Sequence, residues 1–203
     1  MKKNQILTAA TDLFMRLGFD AVRMDAVANE AKVSKATVYV YFANKQELFG
    51  AVLSTYLQQS TVMHPKLPTG PASNIDELST VLLKFLQDGL NYFNNDKVIK
   101  LYRLLISEIH KFPDLFLPIF GDEIKQTTSV LADYLQRYKT VVEDRESYYI
   151  LASQIMDLLR GASLWVNLVQ NPLKQELFCD AEKTITVLHS ATMSLVFNFY
   201  KTR

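Results

Sequence analysis

The stretch Met24–Phe42, MDAVANEAKVSKATVYVYF, decides the fold. Val27, Ala28 and Ala31 recur at helical spacing, and after Lys32-Val33 a second run opens at Ser34, a residue type suited to capping a helix N-terminus. Two short helices joined so tightly must cross at a steep angle. Ala28 is small where they would approach most closely, and Val27, Ala31, Val33 and Val38 supply a miniature core. The second helix is expected to reach about Tyr41, which leaves Lys35, Ala36, Thr37, Tyr39 and Val40 facing outward. Such a mixture of cation, methyl, hydroxyl and aromatic groups can read base edges, thymine methyls and phosphates from a helix lying in a major groove.

Upstream, Ile6, Leu7, Ala10, Leu13, Phe14 and Leu17 mark one face of a first helix, which Gly18 is expected to end in a left-handed cap. Downstream, Asn44 can cap a fourth helix to about Val62, with Glu47 at the third position of a near capping box. The segment from His64 to Asn74 holds three prolines and a glycine, and a domain boundary is expected just before it. Further helices are expected over about 74–94, 96–111, 121–140, 143–170 and 180–201, with Pro113 and Pro118 punctuating an irregular stretch and Asn171-Pro172 separating the last two. No strand-type alternation, repeat or low-complexity tract occurs. The expected fold is all-α, about nine helices: an N-terminal three-helix helix-turn-helix domain (residues 1–50, with the helix at about 45–62 connecting) and a larger C-terminal helical domain for ligand binding and dimerisation (63–203).

The composition narrows the class. Apolar residues make up 49% of the 203, and the net charge of +1 names no partner. Between Lys32 and Lys45 there are three lysines and no acid, a local strip that suits phosphate. Cys179 is the only cysteine, so no intrachain disulfide can form, which fits a reducing cytoplasm. Asp12 and Arg16 break the apolar run a signal peptide would need, and no apolar run is long enough to span a membrane. His64, His110 and His189 are scattered without metal-ligand spacing, and no glycine-rich phosphate loop, GxSxG or catalytic carboxylate motif is present. Neither an enzyme nor a metal or cofactor site is expected.

The last two helical segments are apolar on more than one face, through Ile150, Leu151, Ile155, Leu158 and Leu159 in one and Ile185, Val187, Leu188, Val196 and Phe197 in the other. Such helices need cover on two sides, and a second copy of the chain is the natural cover, giving an intersubunit four-helix bundle from about 143–170 and 180–201. The competing reading is a central helix inside one chain. Polar residues interrupt these stripes: Arg103, Gln154 and Asp157 are candidates to line a ligand pocket with Tyr92, Tyr102, Phe112, Phe116, Tyr148 and Trp165. Asp157 and Arg160, three apart, can instead simply pair.

The run AVRMDAVANEAKVSKATVYVYFANKQELF, residues 21–49, resembles the DNA-binding domain of TetR-family regulators, and Leu17-Gly18-Phe19 fits the preceding helix. Residues 103–113, RLLISEIHKFP, look like the AcrR-type branch of that family. The resemblance implies a ligand-responsive homodimeric regulator of transcription that binds a palindromic operator in double-stranded DNA and is released by a small, hydrophobic or aromatic effector. It implies that Ser34, Lys35, Thr37 and Tyr39 face the groove beside Ala36, and that Tyr41 and Lys45 contact phosphates. Two departures stand out. Arg23 occupies the start of the second helix where the family has Ser or Thr, so capping is lost while reach to a phosphate is kept. Lys32 stands where the family has glycine, at a cost of up to about 1 kcal/mol if the position requires positive φ. A C-terminal domain that serves as a platform for another protein, with no small ligand, remains the alternative.

Overall fold

The computed structural model describes residues 2–61, 65–139, 144–168 and 180–201, with the side chains of 57–61, 116–120, 123, 165 and 166 left out. Helix α1 spans Lys2–Ala21 and is broken at Gly18. The expected break is there, but its conformation is not the left-handed helical one: φ is 76° and ψ 173°, a region essentially restricted to glycine. Helix α2, Met24–Glu30, closes with Lys32 at φ 54°. The Lys32 amide donates to the Asn29 carbonyl (3.1 Å) and the Val33 amide to the Ala28 carbonyl (3.0 Å), which is a Schellman closure with lysine in place of glycine. Ser34 then caps α3, Lys35–Tyr41, accepting from the Thr37 amide at 3.1 Å. At α4, Lys45–Thr61, Asn44 accepts from the Glu47 amide and Glu47 accepts from the Ala43 amide, both at 2.8 Å, a reciprocal cap shifted by one residue.

Helix α5 covers Ile75–Phe93, capped by Asn74, and α6 covers Asp96–Glu108. Helix α7 corrects the sequence reading, for it runs unbroken from Pro113 to Tyr138, where residues 113–118 had been expected to be irregular. Pro113 occupies the first helical position, where a missing N–H costs nothing, and Pro118 forfeits a single backbone bond. Packing outweighs that loss: Leu115 lies against one core, and Thr128, Leu131, Ala132 and Leu135 are buried further along. Helix α8, Arg145–Arg160, is capped by Asp144 and passes into a π-helical turn, Gly161–Trp165, and a short α9, Val166–Leu168. Helix α10 covers Ala181–Lys201, its first turn capped by Asp180. The described residues contain no strand, so the fold is all-α.

Packing groups the chain into two compact units: Met1–Met63 with Lys100–Phe120, and His64–Ile99 with Gly121–Arg203. The return of 100–120 to the first unit differs from a linear division at residue 63. In the first unit Ile6, Phe14, Val27, Val38, Leu48, Phe49 and Leu53 form the centre with Leu101, Leu104 and Leu105. Phe112 joins it through an edge-on contact with Phe19, ring centroids 4.6 Å apart. In the second unit α10 packs on α5 and α8, around Leu78, Leu82, Phe85, Tyr134, Tyr148 and Ile155. Gly89 lets α5 meet α8, since a Cβ there would lie 2.4 Å from Leu159 Cδ2.

Candidate nucleic-acid interface

The first unit displays α3 on a fixed frame. Val38 is fully buried and anchors the helix, and Phe42 closes its end. Along the two turns of α3 and at its N-cap, Ser34, Lys35, Ala36, Tyr39, Val40 and Tyr41 are exposed, and Thr37 is half-buried. The structure therefore gathers these expected residues on one surface, with Val40 more exposed than its neighbours at 79%.

Several polar groups of this surface also have internal partners. The hydroxyls of Ser34 and Thr37 lie 2.8 Å apart, so both serve the cap. Lys35 Nζ is 2.7 Å from Asp25 Oδ1, and this hydrogen bond raises the lysine's pKa. Both side chains are well exposed, so the pair is weak and easily exchanged for a phosphate. Arg23 sits at the N-cap of α2, exposed, with no side-chain capping bond, as the substitution of Ser or Thr by arginine implies.

Lys45, expected to contact a phosphate, has internal partners. Its ammonium donates to three main-chain carbonyls at the α1–α2 turn, those of Phe19 (2.9 Å), Val22 (3.0 Å) and Asp20 (3.3 Å). It also stands 4.3 Å from the centroid of the Phe19 ring, a cation–π distance. Lysine here satisfies carbonyls left without helical partners where α1 ends at Ala21. A second lysine grips the same turn. Lys111 Nζ lies 2.7 Å from Asp20 Oδ2 and 3.0 Å from Oε2 of the buried Glu108. The hydrogen bond to Lys111 lowers the Asp20 pKa, and the same bond raises that of Lys111. Sequence reading missed this triad because Asp20 and Lys111 are 91 positions apart, and nothing in their local pattern marks them.

The residues proposed for a ligand pocket do not come together in the same way. Tyr92 and Tyr148 are buried in the packing of the second unit, where the Tyr148 hydroxyl donates to the Lys139 carbonyl at 3.0 Å. Tyr102 and Phe112 belong to the first unit, as does the half-buried Arg103. Gln154 is exposed, and Asp157 is exposed and paired with Arg160 at 3.1 Å. The side chains of Phe116 and Trp165 lie outside the described part, as do Cys179 and His64 altogether. The second unit does contain an open cleft of about 650 Å³ between α5, the π-helical turn and the start of α10, lined in part by Asp88, Asn91, Asn94, Ser163, Asn167 and Glu182. None of the expected pocket residues whose side chains are described lines it. Among the described residues no group of three or more His, Cys, Asp or Glu side chains could hold a metal ion, and no helix is long and apolar enough to cross a membrane.

Residues 6–52 match the model of "Bacterial regulatory proteins, tetR family", and residues 80–191 match that of the "AefR-like transcriptional repressor, C-terminal domain". The chain belongs to the TetR family. As a TetR-family protein it is a DNA-binding regulator of transcription, and the members of this family act as dimers. The C-terminal match is to the AefR-like domain. Among curated relatives, the uncharacterized HTH-type transcriptional regulator YhgD of Bacillus subtilis (strain 168) is 26% identical over 98% of this chain and 85% of its own length. The HTH-type transcriptional regulator RutR of Escherichia coli (strain K12) is 43% identical, but over 28% of this chain and 26% of its own. Among solved structures, the flavonoid-responsive regulator FrrA superposes with a TM-score of 0.74 at 27% identity, covering 97% of this chain and 95% of that one.

Proposed function

We propose that this TetR-family regulator is a repressor that binds a palindromic operator as a homodimer and is released by a small effector. The observation that carries this reading is the capped, firmly seated α3, which turns Lys35, Tyr39, Val40 and Tyr41 outward, with Arg23 exposed at the start of α2. A helix so presented fits a major groove, with Arg23, Tyr41 and Lys35 within reach of phosphates.

The dimer is built from α8 and α10. Ile150, Val187 and Phe197 are exposed at 52, 68 and 55%, while Leu151, Ile155, Leu188 and Val196 on the same helices are buried in their own unit. That division supports a second, intersubunit face. Two linked heads on a DNA dyad gain over one through effective concentration.

The effector is a small molecule held in the second unit. The cleft supports this reading over a platform for another protein, and its Asn, Ser and carboxylate lining calls for hydrogen-bonding groups on the ligand besides an apolar or aromatic body. FrrA, which by its name responds to flavonoids, supports an aromatic effector. Release is a population shift: a ligand that prefers head spacings mismatched to successive major grooves by about 1–3 kcal/mol weakens operator binding 5- to 150-fold. The reading is tested by titrating an identified effector against protein alone and protein on operator by calorimetry. Coupling is reciprocal, so operator must weaken effector binding by the factor by which effector weakens operator binding. Equal effector affinity in both titrations refutes the release mechanism.

A further inference from the structure

We propose that Val40, with Ala36 one turn before it, reads thymine C5-methyl groups in the operator; the inference rests on the operator-binding reading above and adds the chemistry by which a half-site is chosen. Helix α3 is Lys35-Ala36-Thr37-Val38-Tyr39-Val40-Tyr41 and contains no Arg, Asn or Gln. Guanine is read most often by Arg or Lys bidentate to O6 and N7, and adenine by Asn or Gln bidentate to N6 and N7. Those pairings are unavailable here apart from Lys35, whose exposed pair with Asp25 is easily exchanged for a phosphate. The Ser34 and Thr37 hydroxyls are joined to each other at the helix start.

What the exposed face offers instead is carbon. Ala36 and Val40 are four residues apart, hence on one strip of the helix, and both face solvent. Val40 is 79% exposed, above Val187 and Phe197 on the face assigned to the dimer. A lone exposed apolar residue is ordinary. This one sits in the last turn of α3, where a β-branched residue gains no helix propensity, and its burial of one fifth gives little packing in return. Its neighbours Tyr39 and Tyr41 are half-exposed rings. The apolar feature of the major groove is the thymine methyl, and an Ala36–Val40 strip matches it in chemistry and in reach.

The test uses the full-length protein. Binding sites are selected from a random duplex library, and each thymine of the selected operator is replaced in turn by deoxyuridine, which removes the methyl and keeps every hydrogen-bonding group. At one or two positions per half-site the loss is expected to weaken wild-type binding about fourfold, the factor for one methyl-sized burial, and about fifteenfold when both half-sites are changed. 5-Bromodeoxyuridine at those positions restores binding. In Val40→Ala the thymine-to-uracil difference at one of them falls below twofold. Because the Val40 side chain is largely in solvent, the variant keeps its fold, checked by circular dichroism and thermal unfolding. Operators in which uracil costs nothing at any position, or a folded Val40→Ala that retains every wild-type penalty, overturn the proposal. Failure to enrich any sequence overturns the operator-binding reading beneath it.

Discussion

Lys45→Met separates two roles that one side chain could play. The substitution keeps the length and apolar stem of the lysine and deletes the ammonium that bridges the carbonyls of Phe19, Asp20 and Val22. Each bond from a charged donor is worth roughly 1.5–3 kcal/mol when its partner is otherwise left buried. The three share one ammonium, the Asp20 contact is long and exposed, and Lys45 itself is partly solvated, so the sum is far from additive. The cation–π contact over Phe19 adds about 0.5–1 kcal/mol. The expected loss is roughly 2–3 kcal/mol, against a usual total of about 5–15 kcal/mol. For a chain of this size that lowers the melting temperature by roughly 5–10 °C. Urea or thermal unfolding of the purified dimer reads this directly. If Lys45 instead served as a phosphate contact, stability would be unchanged and the slope of log K against log salt would fall in magnitude by about one per half-site. An unfolding free energy within about 0.5 kcal/mol of wild type refutes the structural role.

Three further outcomes follow from particular contacts. Phe197→Glu should dissociate the dimer and abolish operator binding while leaving each subunit folded, whereas a charge at the fully buried Val196 should unfold the second unit; light scattering with circular dichroism distinguishes them, and a dimeric Phe197→Glu refutes the assigned interface. Gly89→Ala should destabilise: relieving the 2.4 Å approach to the buried Leu159 costs about 1–3 kcal/mol, more than the roughly 1 kcal/mol of helix propensity gained, and a raised melting temperature would show that Leu159 can move aside. The Asp20–Lys111 pair should matter at neutral pH and fade in acid. The Asp20 pKa is lowered in the fold, so its contribution is present above the ordinary Asp range and is lost as pH falls from about 5 through its folded value. Wild type and Asp20→Asn should therefore differ in melting temperature at pH 7, and the gap should shrink as pH falls below the ordinary Asp range; a gap that does not change with pH overturns this account.

Local chemistry made most of the first unit legible from sequence. Ser34 and Asn44 announce caps because their side chains bond amides three residues on, and both do so. Lys32 in a glycine position signals positive φ, and φ is 54°. The order of helices and the all-α class follow from periodicity, which depends only on neighbours along the chain. Tertiary structure decided the rest. Proline chemistry alone argued for a break before Gly121, and burial of residues on either side of Pro118 kept α7 continuous. The phosphate role of Lys45 came from the family resemblance, whereas the direction of its ammonium depends on carbonyls 23 to 26 positions earlier. The aromatic residues of the C-terminal region advertised a cavity, yet Tyr92 and Tyr148 are spent on packing, and the cleft described in the second unit takes its polar groups from α5, the π-helical turn and α10. Periodicity tells which face of a helix is apolar; only the arrangement of the other helices decides whether that face meets a core, a ligand or a second subunit.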